Sequence, residues 1–261
     1  MLAEQGITSA PYVFARPAVT AIETLSLPAV AKSCRGGYDG KNQQILRNRQ
    51  DAIGFDAGTN ADHYIIEQWV PFEREVSMIS VRDRLGNIRH YPLTENVHEN
   101  GILKHSIAPA RGVTAATADS AQDYIATVMH STNYVGVMAM ECFMVEGDLL
   151  VNEIAPRVHN SGHWTQSGCN TSQFENHLRA IAGLALGNTD NHSVSGMVNL
   201  IGTGVPTETA FSTNSTMHWY NKKERPGRKL GHVNFSSASH EELLQKMNLF
   251  RRSAMETRAE G

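Results

Sequence analysis

Lys32 is the lone charge in the apolar run LPAVAKSC, four residues ahead of the glycines in RGGYDGKNQ, the loop from Arg35 to Gln43. Glycines adopt positive φ and carry no Cβ, so a loop rich in them lets backbone N–H groups converge on an anion. A lysine on the preceding strand reaches the same anion, although strand alternation equally allows a solvent-facing side chain there. The loop is not a Walker motif, because Arg35 stands where the first glycine is required and Asn42 follows Lys41, and it contains no GxGxxG. Taken alone, it fits a hairpin turn around Asp39-Gly40 and an anion cradle equally well.

The second group with chemistry in it is a pair of glutamates. VGVMAMECFMV and LLVNEIAPRV flank the turn-like triplet Glu146-Gly147-Asp148. A hairpin symmetric about Gly147 sets Glu141 directly opposite Glu153, with Cβ atoms about 4.5 to 5.5 Å apart, and like charges so placed are destabilising. The neighbours on that face, Ala139, Phe143, Val151 and Ala155, are apolar and sharpen the penalty. A divalent cation turns the repulsion into attraction, and oxygen-only ligands suit magnesium with phosphate oxygens completing the shell. A register slip of one residue would separate the pair, and Arg157 offers neutralisation without a metal. Glycine cradle, strand lysine, paired glutamates and nearby arginine together describe magnesium-nucleotide phosphoryl transfer.

The elements that must position these groups follow from periodicity. YIIEQWV (64–70) and REVSMISVRD (74–83) read as strands, with a turn at Arg84–Asn87 before IRHYPL. Residues 118–130 place Ala121, Tyr124, Ile125 and Val128 at helical spacing, with Asp119 or Ser120 as the cap. SQFENHLRAIAGLAL (172–186) reads as an amphipathic helix stopped by Gly187-Asn188. From about residue 190 a smaller unit follows: SGMVNLIGTG and TMHWY as strands, KKERPGRK as a basic turn, LGHVNF as a strand, and SHEELLQKMNLFRR as a closing helix.

With 261 residues, 41% of them apolar, the chain suffices for one large core or two smaller ones. A formal charge of −3 argues against a nucleic-acid coat or a binder of anionic membranes, so any basic site is local. Cys34, Cys142 and Cys169 are odd in number and unpaired in spacing, which supports neither a disulfide framework nor a zinc cage and fits a reducing cytoplasm. No export signal or membrane-length apolar run is visible.

NEIAPRVHNSGHWTQSG followed by SQFENHLRAIAGLALG resembles the 5-(carboxyamino)imidazole ribonucleotide synthase family of purine biosynthesis, and KSCRGGYDGKNQ, EQWVPFEREVS, ENVHENGIL and KKERPGRKLGHVN fall in that family's order. Ala155 stands two residues after Glu153, where broader ATP-grasp relatives often carry asparagine. The resemblance implies an α+β chain: an ATP-grasp fold of two α+β subdomains gripping ATP over residues 1–188, with a flap at about 25–95. A small β-rich C-terminal domain follows over 189–261, and the family's N-terminal nucleotide-fold domain is absent. It implies a ligase that uses ATP, Mg²⁺ and bicarbonate to carboxylate the exocyclic amine of 5-aminoimidazole ribonucleotide through carboxyphosphate, in a cytoplasmic homodimer with no nucleic-acid or membrane partner. Two rival readings are another ATP-grasp carboxylate–amine ligase and a non-catalytic ATP-binding or dimerisation fragment.

By matching position, the resemblance assigns Lys32 and Gly37, Tyr38, Asp39, Gly40, Lys41, Asn42 and Gln43 to the ATP phosphates. Glu67, Gln68, Trp69 and Val70 form the adenine hinge, Glu75 takes the ribose hydroxyls, and His98 and Asn152 are further nucleotide contacts. Glu141 and Glu153 are the magnesium ligands, and Arg157 holds bicarbonate or the developing carboxyphosphate. Tyr38 and Asp39 also position the aminoimidazole, while Lys222, Arg225, Arg228 and Lys229, with Lys223 beside them, hold the ribose phosphate. His159 and His163 shape the carboxylate pocket or serve as structural histidines. The chain departs from the family at Cys34, where arginine is common, and at Asn42, where glycine is usual; asparagine tolerates positive φ, so the loop geometry survives.

Overall fold

The computed structural model describes residues 1–14, 17–35, 43–58, 64–202 and 215–259. Its first lobe is a small antiparallel sheet of β1 (Tyr12–Phe14), β2 (Ala29–Ser33), β3 (Gln43–Leu46) and β4 (Tyr64–Gln68), in the order β1-β4-β2-β3, with α1 (Ala18–Thr24) and α2 (Arg49–Gly58). Ala29, Ala31, Leu46 and Ile66 from the sheet meet Ala18, Ala21, Ala52 and Phe55 from the helices in a core of its own. Carboxylate Asp56 on α2 accepts hydrogen bonds from the Ala18 and Val19 N–H groups at 2.7 and 3.1 Å, which satisfies donors at the start of α1 and ties the two helices.

The second lobe is built on β5 (Arg74–Arg82), β6 (Ile88–His90), β7 (Thr94–Glu99), β8 (Ile102–Ala108), β9 (Gly136–Val145), β10 (Asp148–Ala155), β11 (Val194–Ile201), β12 (Ser215–Trp219) and β13 (Lys229–Ser237). These run in the order β10-β9-β5-β7-β8-β11-β13-β12, with β6 beside β5. Helices α3 (Ala115–Ser131), α4 (Thr165–Gly168), α5 (Gln173–Ala182) and α6 (His240–Ala259) complete the chain. The alternation of β9 divides its neighbours: Met138, Met140, Cys142 and Met144 pack with Ala121, Ile125, Val128 and Met129 of α3. On the other face Val137 and Ala139 meet Trp164 and Ala180, which leaves Glu141 and Phe143 at the open end of that face.

Several expectations are corrected. The small sheet runs from Tyr12 to Gln68 rather than over 25–95, because β5 pairs along the whole of β9 and draws residues 74–95 into the large sheet. The small β-rich C-terminal domain is present as expected, its strands β11 to β13 continuing the large sheet because β11 pairs with β8 as well as β13. Helix α3 is capped by Thr114, whose hydroxyl accepts from the Thr117 N–H at 3.1 Å, upstream of the caps expected at Asp119 or Ser120. Helix α5 stops at Gly183 in the left-handed region (φ 74°), not at Gly187. Gly187 serves packing instead, since a Cβ there would collide with the Thr171 side chain.

His105 on β8 is buried, and its Nδ1 has no partner among the described residues. Burial first, and then the Arg251 guanidinium, push its pKa down to about 4. The unfolded side chain titrates near 6.5, so between those values the unfolded chain binds a proton that the native one does not, and stability rises with pH through that window. Urea unfolding at pH 5 is expected to show this group costing about 2 kcal/mol relative to pH 7. His105→Gln removes that share of the slope; an unchanged slope in the variant contradicts it.

Candidate active site

The glutamate pair forms, by a route that symmetry about Gly147 does not give. The β9–β10 turn is the two-residue Glu146-Gly147, both at positive φ (53° and 89°), so the first pairs are Val145 with Asp148 and Met144 with Leu149. Continued without interruption, that register would set Asn152, not Glu153, against Glu141. A β-bulge between Val151 and Glu153 absorbs one residue and restores Glu141 opposite Glu153. The bulge has a second consequence: Asn152 and Glu153 are both directed to the face of Glu141.

Asn152 uses that orientation. Its Oδ1 accepts a hydrogen bond from Lys32 Nζ at 2.8 Å, which spans from the small sheet to the large one, and the same Nζ lies 2.6 Å from Glu67 Oε2. Lys32 is thus fixed between a carboxylate and an amide rather than facing solvent. Gln43 pairs with Lys32 across β2 and β3, so the glycine loop connects two antiparallel strands ending at this lysine. Gly37, Tyr38, Asp39, Gly40, Lys41 and Asn42 lie outside the described residues.

Around Glu141 the field is dense. Glu75 on β5 pairs with the ring of His98 on β7; Asn96 is in register with Glu75, and strand alternation puts His98, two residues on, on the same face. Burial works against a charged His98, yet the bond to Glu75 and the fields of Glu141 and Glu153 lift its pKa above the ordinary value. Burial, with Glu153 and Glu75 adding to it, raises Glu141 to about 7, while His98 and Arg157 oppose the rise. A half-buried carboxylate facing a second, exposed one is a poor anion alone and a good ligand for a cation. Among the described residues no third carboxylate, histidine or cysteine joins them, so the protein supplies a pair of ligands and leaves the rest of a shell to other oxygens.

Arg157 is exposed; its guanidinium donates to the Val158 carbonyl at 3.1 Å and makes no carboxylate bridge among the described residues. The neutralisation of Glu141 or Glu153 by Arg157 is therefore not the arrangement found. At the hinge, the N–H groups of Gln68 and Trp69 already donate to the carbonyls of Pro11 and Pro28 at 2.8 and 3.0 Å, while the N–H of Val70 makes no such bond among the described residues. The basic turn lies between β12 and β13. Lys222 and Lys229 sit 5.0 and 5.5 Å from the centre of the Tyr220 ring, and Lys229 also reaches Asn160 Oδ1. Lys222, Lys223 and Arg225 are exposed, and Arg228 donates to the Lys223 carbonyl at 3.1 Å.

Some residues here escaped the sequence reading. Gln173 is fully buried and grips the His159 backbone on both sides, accepting from its N–H at 3.0 Å and donating to its carbonyl at 2.6 Å. Its amide also donates to His163 Nδ1 at 3.1 Å, and burial, followed by the charge of Lys229, drives the His163 pKa far below the ordinary range. Phe72 and Phe143 stack at 4.6 Å, with Phe143 paired across the strands to Glu75. The signal for Gln173 was a polar residue on the inner face of SQFENHL.

The fold is that of an ATP-grasp domain: residues 1–174 match the ATP-grasp domain model, and residues 195–246 match the phosphoribosylaminoimidazole carboxylase C-terminal domain. An N5-carboxyaminoimidazole ribonucleotide synthase of Vibrio vulnificus strain CMCP6 is 44% identical over 235 residues, covering 87% of this chain and 62% of that protein. The crystal structure of the synthetase from Thermus thermophilus superposes with a TM-score of 0.89 at 39% identity, covering 97% of this chain and 70% of that one. A synthase from Aspergillus clavatus, solved with ADP and 5-aminoimidazole ribonucleotide, superposes at 0.86 and 30% identity, covering 97% and 70%. The chain belongs to the N5-carboxyaminoimidazole ribonucleotide synthase family, and it spans about 62% of the length of the curated relatives it matches.

Proposed function

We propose that the chain carries the ATP- and bicarbonate-dependent carboxylation of the exocyclic amine of 5-aminoimidazole ribonucleotide, with carboxyphosphate as the intermediate and ADP and phosphate released. The observation that supports it most is the Asn152 bulge, which brings Glu141, Glu153 and, through Asn152, Lys32 to one place on the sheet. The relative solved with ADP and the ribonucleotide supports the same substrates.

Lys32 neutralises phosphate charge, with Asn152 and Glu67 fixing its ammonium group. Glu141 and Glu153 hold Mg²⁺, which when bound polarises the transferring phosphoryl group. Val70 offers its N–H to adenine beside Glu67, Gln68 and Trp69, and Glu75, steadied by His98, accepts from ribose hydroxyls. Arg157, without a carboxylate partner among the described residues, holds bicarbonate and then the carboxyphosphate carboxylate. Tyr38 and Asp39 are assigned to the aminoimidazole and Gly37 to Gln43 to the ATP phosphates. Lys222, Arg225, Arg228 and Lys229 take the ribose phosphate; Lys229 links that turn to the 159–163 segment through Asn160.

The test is ADP release with Mg²⁺ and bicarbonate, with and without the ribonucleotide. Ribonucleotide-stimulated release is expected; ATP binding without turnover overturns the proposal in favour of a non-catalytic fragment. The phosphate assignment makes its own prediction: Arg225→Ala and Lys229→Ala raise KM for the ribonucleotide by about tenfold each, the worth of one charge-assisted contact, and leave KM for ATP unchanged. Equal changes in both constants contradict it.

A further inference from the structure

Beside the carboxylates, a line of small polar side chains has no task in the reading above. Ser77 on β5 lies in register with Glu141, and Asn96 on β7 lies in register with Ser106 on β8. These three and Ser161 are buried. Ser77 Oγ is 2.8 Å from Ser161 Oγ, Asn96 Nδ2 is 2.9 Å from Ser77 Oγ, and Ser106 Oγ is 2.8 Å from Asn96 Oδ1. At the near end, Ser161 Oγ lies 2.8 Å from His159 Nδ1.

The direction of this chain is set at its histidine end. The Ser161 backbone N–H points at His159 Nδ1 at 3.3 Å, and an N–H cannot bond to a protonated ring nitrogen, so Nδ1 is an acceptor. The Ser161 hydroxyl therefore donates to Nδ1 as well. Having spent its proton, it must accept from Ser77, which in turn accepts from the Asn96 amide, whose oxygen takes the Ser106 proton. Each hydroxyl proton of the chain is matched, and the proton of the neutral imidazole is left on Nε2, which makes no hydrogen bond among the described residues. The approach of Glu141 Oε1 to Nδ1, at 3.8 Å, is too long for a hydrogen bond.

We propose that Ser161, Ser77, Asn96 and Ser106 are positioning residues that fix His159 as the Nε2–H tautomer, so that a neutral imidazole presents an N–H donor to the carboxylate-bearing reactant. The proposal rests on the functional reading given above. Gln173 holds the His159 backbone, so ring orientation and tautomer are set independently. The charges of Arg157 and Lys229 act on this ring and mark its surroundings as a place for an anion. The other tautomer would turn a lone pair toward that anion and lose a hydrogen bond made to charge.

The test is a nitrogen-15 spectrum of the imidazole rings of the ligand-free protein, with His159 assigned by its loss in His159→Gln. A protonated Nε2 and bare Nδ1 are expected in the parent protein. In Ser161→Ala the two nitrogens shift toward a mixture of tautomers and kcat falls about tenfold, the worth of one hydrogen bond, with KM for ATP unchanged. Ser77→Ala, which leaves the Ser161 hydroxyl in place, moves both readouts the same way by less. A protonated Nδ1 in the parent, or a Ser161→Ala protein with unaltered nitrogen signals and kcat, overturns the proposal. The spectrum needs no substrate and so decides the tautomer by itself; absent turnover in the parent overturns the functional reading instead.

Discussion

Glu153→Gln and Glu141→Gln each lower Mg²⁺-dependent ADP release by about a thousandfold, equivalent to about 4 kcal/mol of transition-state stabilisation. The same substitutions act in the opposite sense on the metal-free fold. Glu141 and Glu153 stand opposite each other on adjacent strands, and burial holds Glu141 up at about 7. Removing one charge of such a facing pair relieves about 0.5 to 1 kcal/mol of repulsion, so the urea midpoint without Mg²⁺ rises in either variant. Lost turnover with gained stability separates a ligand pair from a structural one. Lost turnover with lost stability would instead show the carboxylates to be part of the scaffold.

Arg157→Ala lowers kcat about a hundredfold at saturating ATP, the scale of losing one charge-stabilising donor, while KM for ATP is unchanged. Arg157 follows Ala155 and Pro156 at the end of β10, and its guanidinium donates to a neighbouring carbonyl without bridging to either glutamate among the described residues. An exposed guanidinium beside two carboxylates, bonded to neither, is placed for an anion that arrives with substrate. Arg157→Lys restores part of the loss, because a lysine supplies charge without the planar fork. If Arg157→Ala instead raises KM for ATP and spares kcat, the side chain serves the nucleotide.

What could be read in the sequence was set by local rules. The strands of β5, β9 and β10 and the body of α3 follow from alternation and helical spacing, and each stands near where those patterns put it. The facing of Glu141 and Glu153 was legible from the turn, but for an incomplete reason. A turn centred on Gly147 gives that pairing directly, whereas the real turn, Glu146-Gly147, gives it only after the bulge at Asn152. A bulge is a tertiary choice, stabilised by the contact from Lys32 some 120 positions earlier in the chain, and periodicity carries no trace of it. Thr114 and Gly183 were missed because several capping residues stood in each window and the chain used the outer one at the start of α3 and the earlier glycine at the end of α5. The merging of β11 to β13 with the large sheet was illegible, since strand neighbours distant in sequence leave no local mark. The buried line from Ser106 to His159 crosses strands and a loop in the same way.

We propose that this site transfers the terminal phosphoryl group of ATP to bicarbonate. The most direct test is turnover with oxygen-18 bicarbonate, ATP, Mg²⁺ and 5-aminoimidazole ribonucleotide, followed by mass analysis of the released phosphate. Attack of a bicarbonate oxygen on the terminal phosphorus, and later cleavage of the carboxyl carbon from that oxygen, carries one labelled oxygen into inorganic phosphate per turnover. Phosphate bearing one oxygen-18 is the predicted result, and phosphate free of label at full turnover would contradict the account.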